Sequence, residues 1–421
     1  MALPMRVTKN SALHWAGRIV LWLAVAGAFW WAATSWSNSK TGLLADGLII
    51  AIAVTGVNLI TGYTGQLSLG HSAFFAIGAY TSLLLTQGRI FDMTWTPGWT
   101  LPVAAVVCFV VGAVVGLPAL RLKGIYLALT TLVFVEAVLA LLRYESWAGV
   151  TGGSRGIKGE KYIPPSWTGL DGRADINKWF VWLSGGLLLL FALLIGGLIR
   201  SRIGRAMTAT RDNETAAAVM GVDLARVKTI TFGLSGAITG VAGSLYGLKL
   251  GLVNPEVPMF GLIGAITFVV AMVVGGAAQA WGPVVGALFY MFVNDYARTI
   301  GENPSDHFLL GKFVDEGTKI VGLGGIVFGA LLILFARFAP YGAVGTLKLA
   351  RARLVQVVPT PPVDVPAGGT PGSPDDAAPA VDRDAEDRPT GSDGAAVTNV
   401  TDAGTEGDGP AAGTPSGQPT A

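Results

Sequence analysis

The sequence predicts an all-α polytopic membrane bundle of about ten transmembrane helices, and three observations carry that reading. Of 421 residues, 52% are hydrophobic and only 13% charged, whereas a soluble domain carries about 25% charged residues. The apolar residues gather into runs of the length a helix needs, about 20 residues, to cross about 30 Å of hydrocarbon. Runs such as Val103–Leu120 and Ile125–Leu142 show no alternation of polar and apolar residues, which argues against the period-two strands of a membrane barrel. The same composition excludes an ordinary soluble enzyme.

Spans are predicted over 19–36, 43–60, 67–86, 101–120, 125–142, 179–199, 229–249, 262–277, 282–297 and 318–336. The first follows Arg6, Lys9 and Arg18 and runs through Phe29, Trp30 and Trp31 without a small-residue cleavage site, so it reads as an uncleaved anchor and not a signal peptide. An even number of spans puts both termini on one side. Lysine and arginine at the amino end, and Arg337, Lys348, Arg351 and Arg353 after the last span, make that side cytoplasmic by the positive-inside rule. Arg121, Lys123 and the segment Arg200–Lys228 then lie inside, and Lys40 and Arg89 outside. The segment Arg143–Lys178 runs against this assignment: it falls outside yet holds six basic residues, among four acidic ones. Trp30, Trp31, Trp36, Trp95, Trp99, Trp147, Trp167, Trp179 and Trp182 stand near span ends, where amphipathic rings prefer the headgroup zone.

Three regions follow: a cytoplasmic amino terminus at 1–18, a membrane domain at 19–340 and a cytoplasmic segment at 341–421. From Leu354 onward there are eleven acidic residues against Arg383 and Arg388, a net charge of −9, so a chain of +2 overall has a body of +11. A basic body suits anionic lipid, and a tail rich in Pro, Gly, Ala, Thr and Asp cannot bury enough apolar surface to fold by itself. Cys108 is the one cysteine, which permits neither an intrachain disulfide nor a cysteine metal cluster. Gly311-Lys312 is followed by Phe313 and lacks the upstream glycine of a phosphate cradle. No catalytic residue, cofactor or metal site is expected in this chain, and nothing points to nucleic acid.

Two segments stand out. In the loop Arg200–Lys228, Asp212 is placed to cap a short helix whose first turn holds Glu214. Ala216, Ala217 and Ala218 extend that helix, Gly221 stops it in a left-handed conformation, and Asp223 caps the helix that enters the membrane. So short a helix is marginal in water and needs a surface, which is either a partner protein or the chain's own neighbouring loops. In Asn58–Tyr80, Gly62, Gly65 and Gly70 interrupt an apolar run and leave Gln66, Ser68 and His71 at membrane depth. Broken spans are tolerated where freed backbone lines a cavity or packs in protein. The segment is therefore a candidate translocation path, or a place where glycines allow close packing and Gln66 and His71 bond to nearby backbone.

The segment GYTGQLSLGH at 62–71 resembles the glycine-tyrosine-x-glycine-glutamine-leucine-serine-x-glycine-histidine signature of the branched-chain amino acid permeases of ABC importers. GLPALRLKGIY at Gly116–Tyr126, TGGSRGI at Thr151–Ile157 and MVVGGAAQAWGPVVG at Met272–Gly286 add ordered matches between about Asp46 and Tyr341. The basic segment and the long loop with TGGSRGI are similar to the larger of that family's two permease subunits. The loop 200–228 likewise resembles the glutamate-alanine-alanine...glycine coupling loop of such importers through Glu214, Ala216, Ala217 and Gly221, with Arg211 just before them and Thr215 interrupting the strict order. The resemblance implies a membrane-spanning, non-enzymatic subunit of the cell inner membrane. It implies as partners a second homologous permease, two cytoplasmic ATPase subunits docked at the coupling loops, and an extracytoplasmic solute-binding protein delivering leucine, isoleucine, valine or a related amino acid. Urea and short amides are cargoes of similar permeases. The acidic tail lies outside the resemblance.

Glu136 sits inside the fifth span, where a carboxylate is costly and a functional candidate by default; its alternative is a pair with Arg143 two turns on. Asp46 and Asn58 carry the same ambiguity. An ion-coupled secondary transporter would use Glu136, Asp46 and His71 as its relay, and a membrane scaffold would act through its acidic tail. Gly236, Gly240, Gly243, Gly247 and Gly251 recur at small-residue spacing, as do Gly282/Gly286 and Gly325/Gly329, and are read as packing residues.

Overall fold

A computed structural model describes residues 5–8, 23, 26–89, 93–122, 124–159, 161–170, 175–302, isolated positions between 325 and 337, and 342–358. Contacts divide the chain into a unit ending at Thr360 and a second, Pro361–Ala421. The expected disordered tail and most of the tenth span fall outside the described residues. Helix is present over 26–35 (α1), within the expected first span. It continues as α2 (Asn38–Val57), α3 (His71–Thr86), α4 (Pro97–Ala119), α5 (Ile125–Arg143) and a single turn α6 (Ala148–Thr151). Then come α7 (Ile176–Arg200), α8 (Arg202–Asp212), α9 (Glu214–Val219), α10 (Leu224–Leu250), α11 (Leu262–Gly275), α12 (Gly282–Glu302) and α13 (Gly342–Leu354).

Among these, four stretches are long and apolar enough to cross a membrane: Asn38–Gly62, α4, α5 and α7. The expected starts shift in two informative places, and the ninth span starts where expected. The third span, expected from 67, becomes helical only at His71, because Gly65 at φ 70° breaks the chain before it. The seventh, expected from 229, begins at Leu224, because Asp223 caps it outside the apolar run by accepting from Arg226 N at 3.1 Å. The ninth begins at Gly282 with Pro283 in its first turn, where a missing N–H costs nothing.

α2 is the centre of the bundle, its apolar stretch 89% buried, with α7, α10 and α12 against it. α10 in turn packs on α3 and α4 along its glycines. A Cβ at Gly112 of α4 would stand 2.6 Å from the Phe232 carbonyl oxygen, and one at Gly236 would stand 2.8 Å from that of Cys108. Gly78 of α3 faces the Gly240 carbonyl, and Gly243 of α10 faces that of Phe75, both too closely for any side chain. Backbones at such range gain dispersion contacts that larger residues would prevent. Two polar contacts sit inside these crossings. The Ser82 and Ser244 hydroxyls bond to each other, and Cys108 Sγ donates to Phe74 O at 3.5 Å. The same close approach joins α11 to α12, where Gly286 faces the Ala271 carbonyl. Gly251 is a different case, ending α10 in a left-handed conformation at φ 69°.

Side-chain bonds at the helix ends register the bundle. At one end Asn177 Nδ2 on α7 donates to Asn38 O at 3.1 Å, and Lys249 at the end of α10 ion-pairs with Asp46 and donates to Gly42 O at 2.8 Å. The described parts of the loop following α5, 144–159 and 161–170, fold over this same end. Its two-residue strand β2 (Ile157–Lys158) pairs antiparallel with β3 (Leu252–Val253) after α10, and Tyr162 packs edge-on against Trp179, 5.6 Å between ring centres. Burial there pushes the Tyr162 phenol pKa up. At the opposite end lie α8, α9, the turn joining α11 to α12, and α13, whose Lys348 bonds to Gln279 of that turn. A parallel strand pair, Met5–Thr8 with Val355–Val358, sets the amino-terminal segment beside the one following α13.

If contact between α3 and α10 holds the bundle, Gly78→Val should lower the unfolding midpoint in detergent by several degrees or prevent folding, since overpacking costs about 1–3 kcal/mol. Gly186→Ala, which meets no atom within 4 Å, should leave the midpoint unchanged. Equal midpoints in scanning fluorimetry would refute the contact.

Candidate functional site

The loop between α7 and α10 folds into two capped helices. Ser201 caps α8 by accepting from Gly204 N at 3.3 Å. The cap of α9 is Asn213, not the expected Asp212: extended at φ −161°, it turns its side-chain oxygen to Ala216 N at 3.0 Å. Asp212 is instead the last residue of α8 and ion-pairs with Arg211 at 3.2 Å. Gly221 does end the α9 segment as the spacing predicts. At φ 84° it lets Val222 N reach Ala217 O and its own N–H reach Ala218 O, both at 3.0 Å, the two bonds of a Schellman motif.

Glu214 is tied back to the root of α10 by an ion pair to Lys228, 2.9 Å. The lysine side chain is only 4% exposed, so removing the glutamate would strand a buried cation, at a cost of about 3–5 kcal/mol. Ala217 is buried against the bundle and Ala216 is exposed. Beyond them Val219 and Met220 stand 82% and 83% exposed. Sequence reasoning missed this pair; its only signal there is two apolar residues immediately before the helix-ending glycine.

The broken span lies at the same end. α2 runs on into a π-helical turn, Asn58–Gly62, a geometry concentrated at functional sites. Residues 65–69 then have no regular structure. Their backbone is satisfied locally: Gln66 N donates to Ile60 O at 3.2 Å, Thr61 Oγ1 to Gln66 O at 3.0 Å, and Leu69 N to Thr131 Oγ1 of α5 at 3.0 Å. Asn58, one of the ambiguous residues, has a structural task. Its amide accepts from Ala278 N at 2.8 Å and donates to Gln279 O at 3.2 Å, pinning the π turn to the α11–α12 connection.

Gln66, Ser68 and His71 are brought together in this segment, and all are buried. Ser68 Oγ lies 3.3 Å from His71 Nδ1 and accepts from Gly70 N at 3.3 Å. The expected bonds from Gln66 and His71 side chains to neighbouring backbone are not found. Both side-chain polar atoms of Gln66, and His71 Nε2, lack a hydrogen-bond partner among the described residues. Buried polar atoms in that state cost about 1–3 kcal/mol each and are available to a polar solute or water. Gly65 and Leu67 alternate with them as exposed positions.

Glu136 is not part of this cluster. Thr131, Val135 and Leu139 are the buried face of α5, and Glu136 points the other way, onto an exposed face with Leu129 and Val133. Nor does it pair with Arg143, whose guanidinium holds Glu256 Oε1 at 3.0 Å in the loop before α11. Asp46 has Lys249 as its partner. Among the described residues no group of three or more His, Cys, Asp or Glu is placed to hold a metal ion.

The family "Branched-chain amino acid transport system / permease component" matches residues 39–336. The chain is 34% identical over 289 residues to the high-affinity branched-chain amino acid transport system permease protein LivM of Salmonella typhimurium, covering 63% of this chain and 65% of LivM. The Escherichia coli K12 LivM is 33% identical over 61% of this chain and 63% of its own length. The chain thus spans just under two thirds of these relatives. The probable branched-chain amino acid transport permease protein LivH of Methanocaldococcus jannaschii is 27% identical, over 72% of this chain and 90% of LivH. No solved structure matches the chain. With the broken glycine span, the capped loop helix and the helical membrane bundle all inside the matched residues, the chain belongs to the branched-chain amino acid permease family.

Proposed function

We propose that this chain is the larger permease subunit of an ATP-driven, binding-protein-dependent importer of branched-chain amino acids, and that α9 is its dock for a cytoplasmic ATPase. The observation that carries the reading is the tip of α9. Six residues of helix are too few to persist in water unaided, yet here a cap, a Schellman turn and a semi-buried ion pair hold them in place and present Val219 and Met220 outward. Two large apolar side chains held more than four-fifths exposed on a rigid mount suit a cleft in another protein. Docking an ATPase there makes the α8–α9 end cytoplasmic, and with it α13 and both termini.

In this reading cargo passes close to Gln66, Ser68 and His71, and the unpartnered atoms of Gln66 and His71 can bond a solute without competing for bonds already made. The exposed face of α5 then turns toward a second, homologous permease and the aqueous path between the two, because lipid would solvate Glu136 poorly. Pairing with Lys249 engages Asp46 in a neutral couple, which counts against an ion relay built on that carboxylate. A binding protein would supply cargo at the end formed by β2, β3 and the loop segments 144–159 and 161–170.

Co-purification of the chain with its neighbouring gene products, followed by ATP hydrolysis in liposomes, tests the reading. Leucine-loaded binding protein should accelerate hydrolysis; acceleration by urea or a short amide would reassign the cargo, and gradient-driven uptake by the lone chain would replace the importer reading. Met220→Asp with Val219→Asp should reduce ATPase co-purification by about tenfold, the equivalent of about 1.4 kcal/mol, while the chain stays monodisperse; undiminished binding would sink the dock. Glu136→Leu should leave that assembly intact and cut uptake by about an order of magnitude if the α5 face is wet, and should leave uptake unchanged if that face meets lipid.

A further inference from the structure

Arg211 is the penultimate residue of α8, on the chain's approach to α9, yet its side chain reaches away from α9. Its Nη1 donates to Gly62 O at 3.4 Å, the last residue of the π turn. Its aliphatic stem lies against Gly65: a Cβ at that glycine would stand 2.8 Å from Arg211 Cγ and 3.5 Å from its Cα. Gly65 is also held at φ 70°, a conformation other residues rarely adopt, so both the turn and the close approach require glycine. Just beyond the contact come Gln66, Ser68 and His71.

We infer that Arg211 is a positioning residue that grips the unwound segment at Gly62 and Gly65 and transmits displacement of the ATPase-docked loop to the buried polar residues of the broken span. The inference rests on the proposal that this loop docks an ATPase. Three features make the segment movable in the required way. Residues 65–69 lack the continuous helical hydrogen bonds that make a rod resist bending. The segment is pinned on its far side by the two Asn58 bonds to the α11–α12 turn, which supplies a pivot. Arg211 itself is 40% exposed and balanced by Asp212, so it can follow α8 without stranding a buried charge. A docking residue would reach toward the exposed tip at Val219 and Met220, and Arg211 reaches toward the membrane.

The test uses the full complex with Cys108→Ser and a reporter, Leu67→Cys, at the exposed position beside Gln66. In the wild-type background ATP should change the maleimide labelling rate at position 67 by about fivefold or more, the low end of measured site-to-site couplings. Arg211→Ala should keep ATPase co-purification and hydrolysis, abolish the ATP-dependent change in labelling and lower uptake per ATP hydrolysed. Arg211→Lys, which keeps the stem and charge, should restore part of both, and is read in the same way if the alanine variant does not fold. An unchanged labelling response in Arg211→Ala overturns the inference, as does loss of the ATPase from that variant, which would make Arg211 part of the dock. A wild-type chain that retains no ATPase overturns the importer reading, and this inference with it.

Discussion

Hydrocarbon offers helices no hydrophobic reason to associate, since lipid tails are as apolar as leucine. What remains is contact, and in this chain contact is made where glycines let the backbones of α3 and α4 close on α10. Gly78 against the Gly240 carbonyl, and Gly112 against that of Phe232, set a separation that no Cβ would permit. The rest of the bundle is arranged around that triple crossing and α2 behind it. Thr239 spans the two, its hydroxyl meeting Ser235 O at 3.0 Å and Ala53 O at 3.4 Å. Outward faces of α4 and α7 are by contrast apolar and unpartnered, with Val106, Val110, Val114, Leu189 and Leu193 exposed, as helices meeting lipid require.

A second constraint follows from the first. Backbone groups freed at membrane depth must find partners inside the protein, so a break in α2–α3 is stable only where neighbours supply them. Thr131 from α5 does this, together with the hydroxyls of Thr61 and Thr64, the latter bonded to Ile60 O, while Asn58 ties the π turn to the backbone of the α11–α12 connection. With backbone at the break bonded by these threonines, both side-chain polar atoms of Gln66 and the Nε2 of His71 are left without a partner among the described residues.

The two ends of the bundle are built differently. One is closed by ion pairs between elements far apart in sequence, Asp46 with Lys249 and Arg143 with Glu256, and by a small two-stranded sheet. The other is built from local caps on short helices, which keep their shape without deep burial. Shallow anchoring and exposed apolar tips belong to surfaces that bind and move, and lower local stability is a physical condition of such motion.

Much was legible in the sequence because it depends on local chemistry. Span length, the left-handed role of Gly221, capping by Asp223 and the glycine break before His71 all follow from residues within a turn or two of one another. The preference for Asn213 over Asp212 as the cap of α9 turned on a single residue of helix phase, set by where α8 stops and the backbone becomes extended. Other features were decided only by tertiary structure. Lys249 as partner of Asp46, Lys228 as partner of Glu214, Glu136 turned away from the buried cluster, and Arg211 lying on Gly62 each depend on which helix faces are apposed across long stretches of chain. Hydrophobic patterning marks a helix as apolar all round and is silent on azimuth; close glycine contacts set the azimuth, and with it the neighbours of every buried polar group.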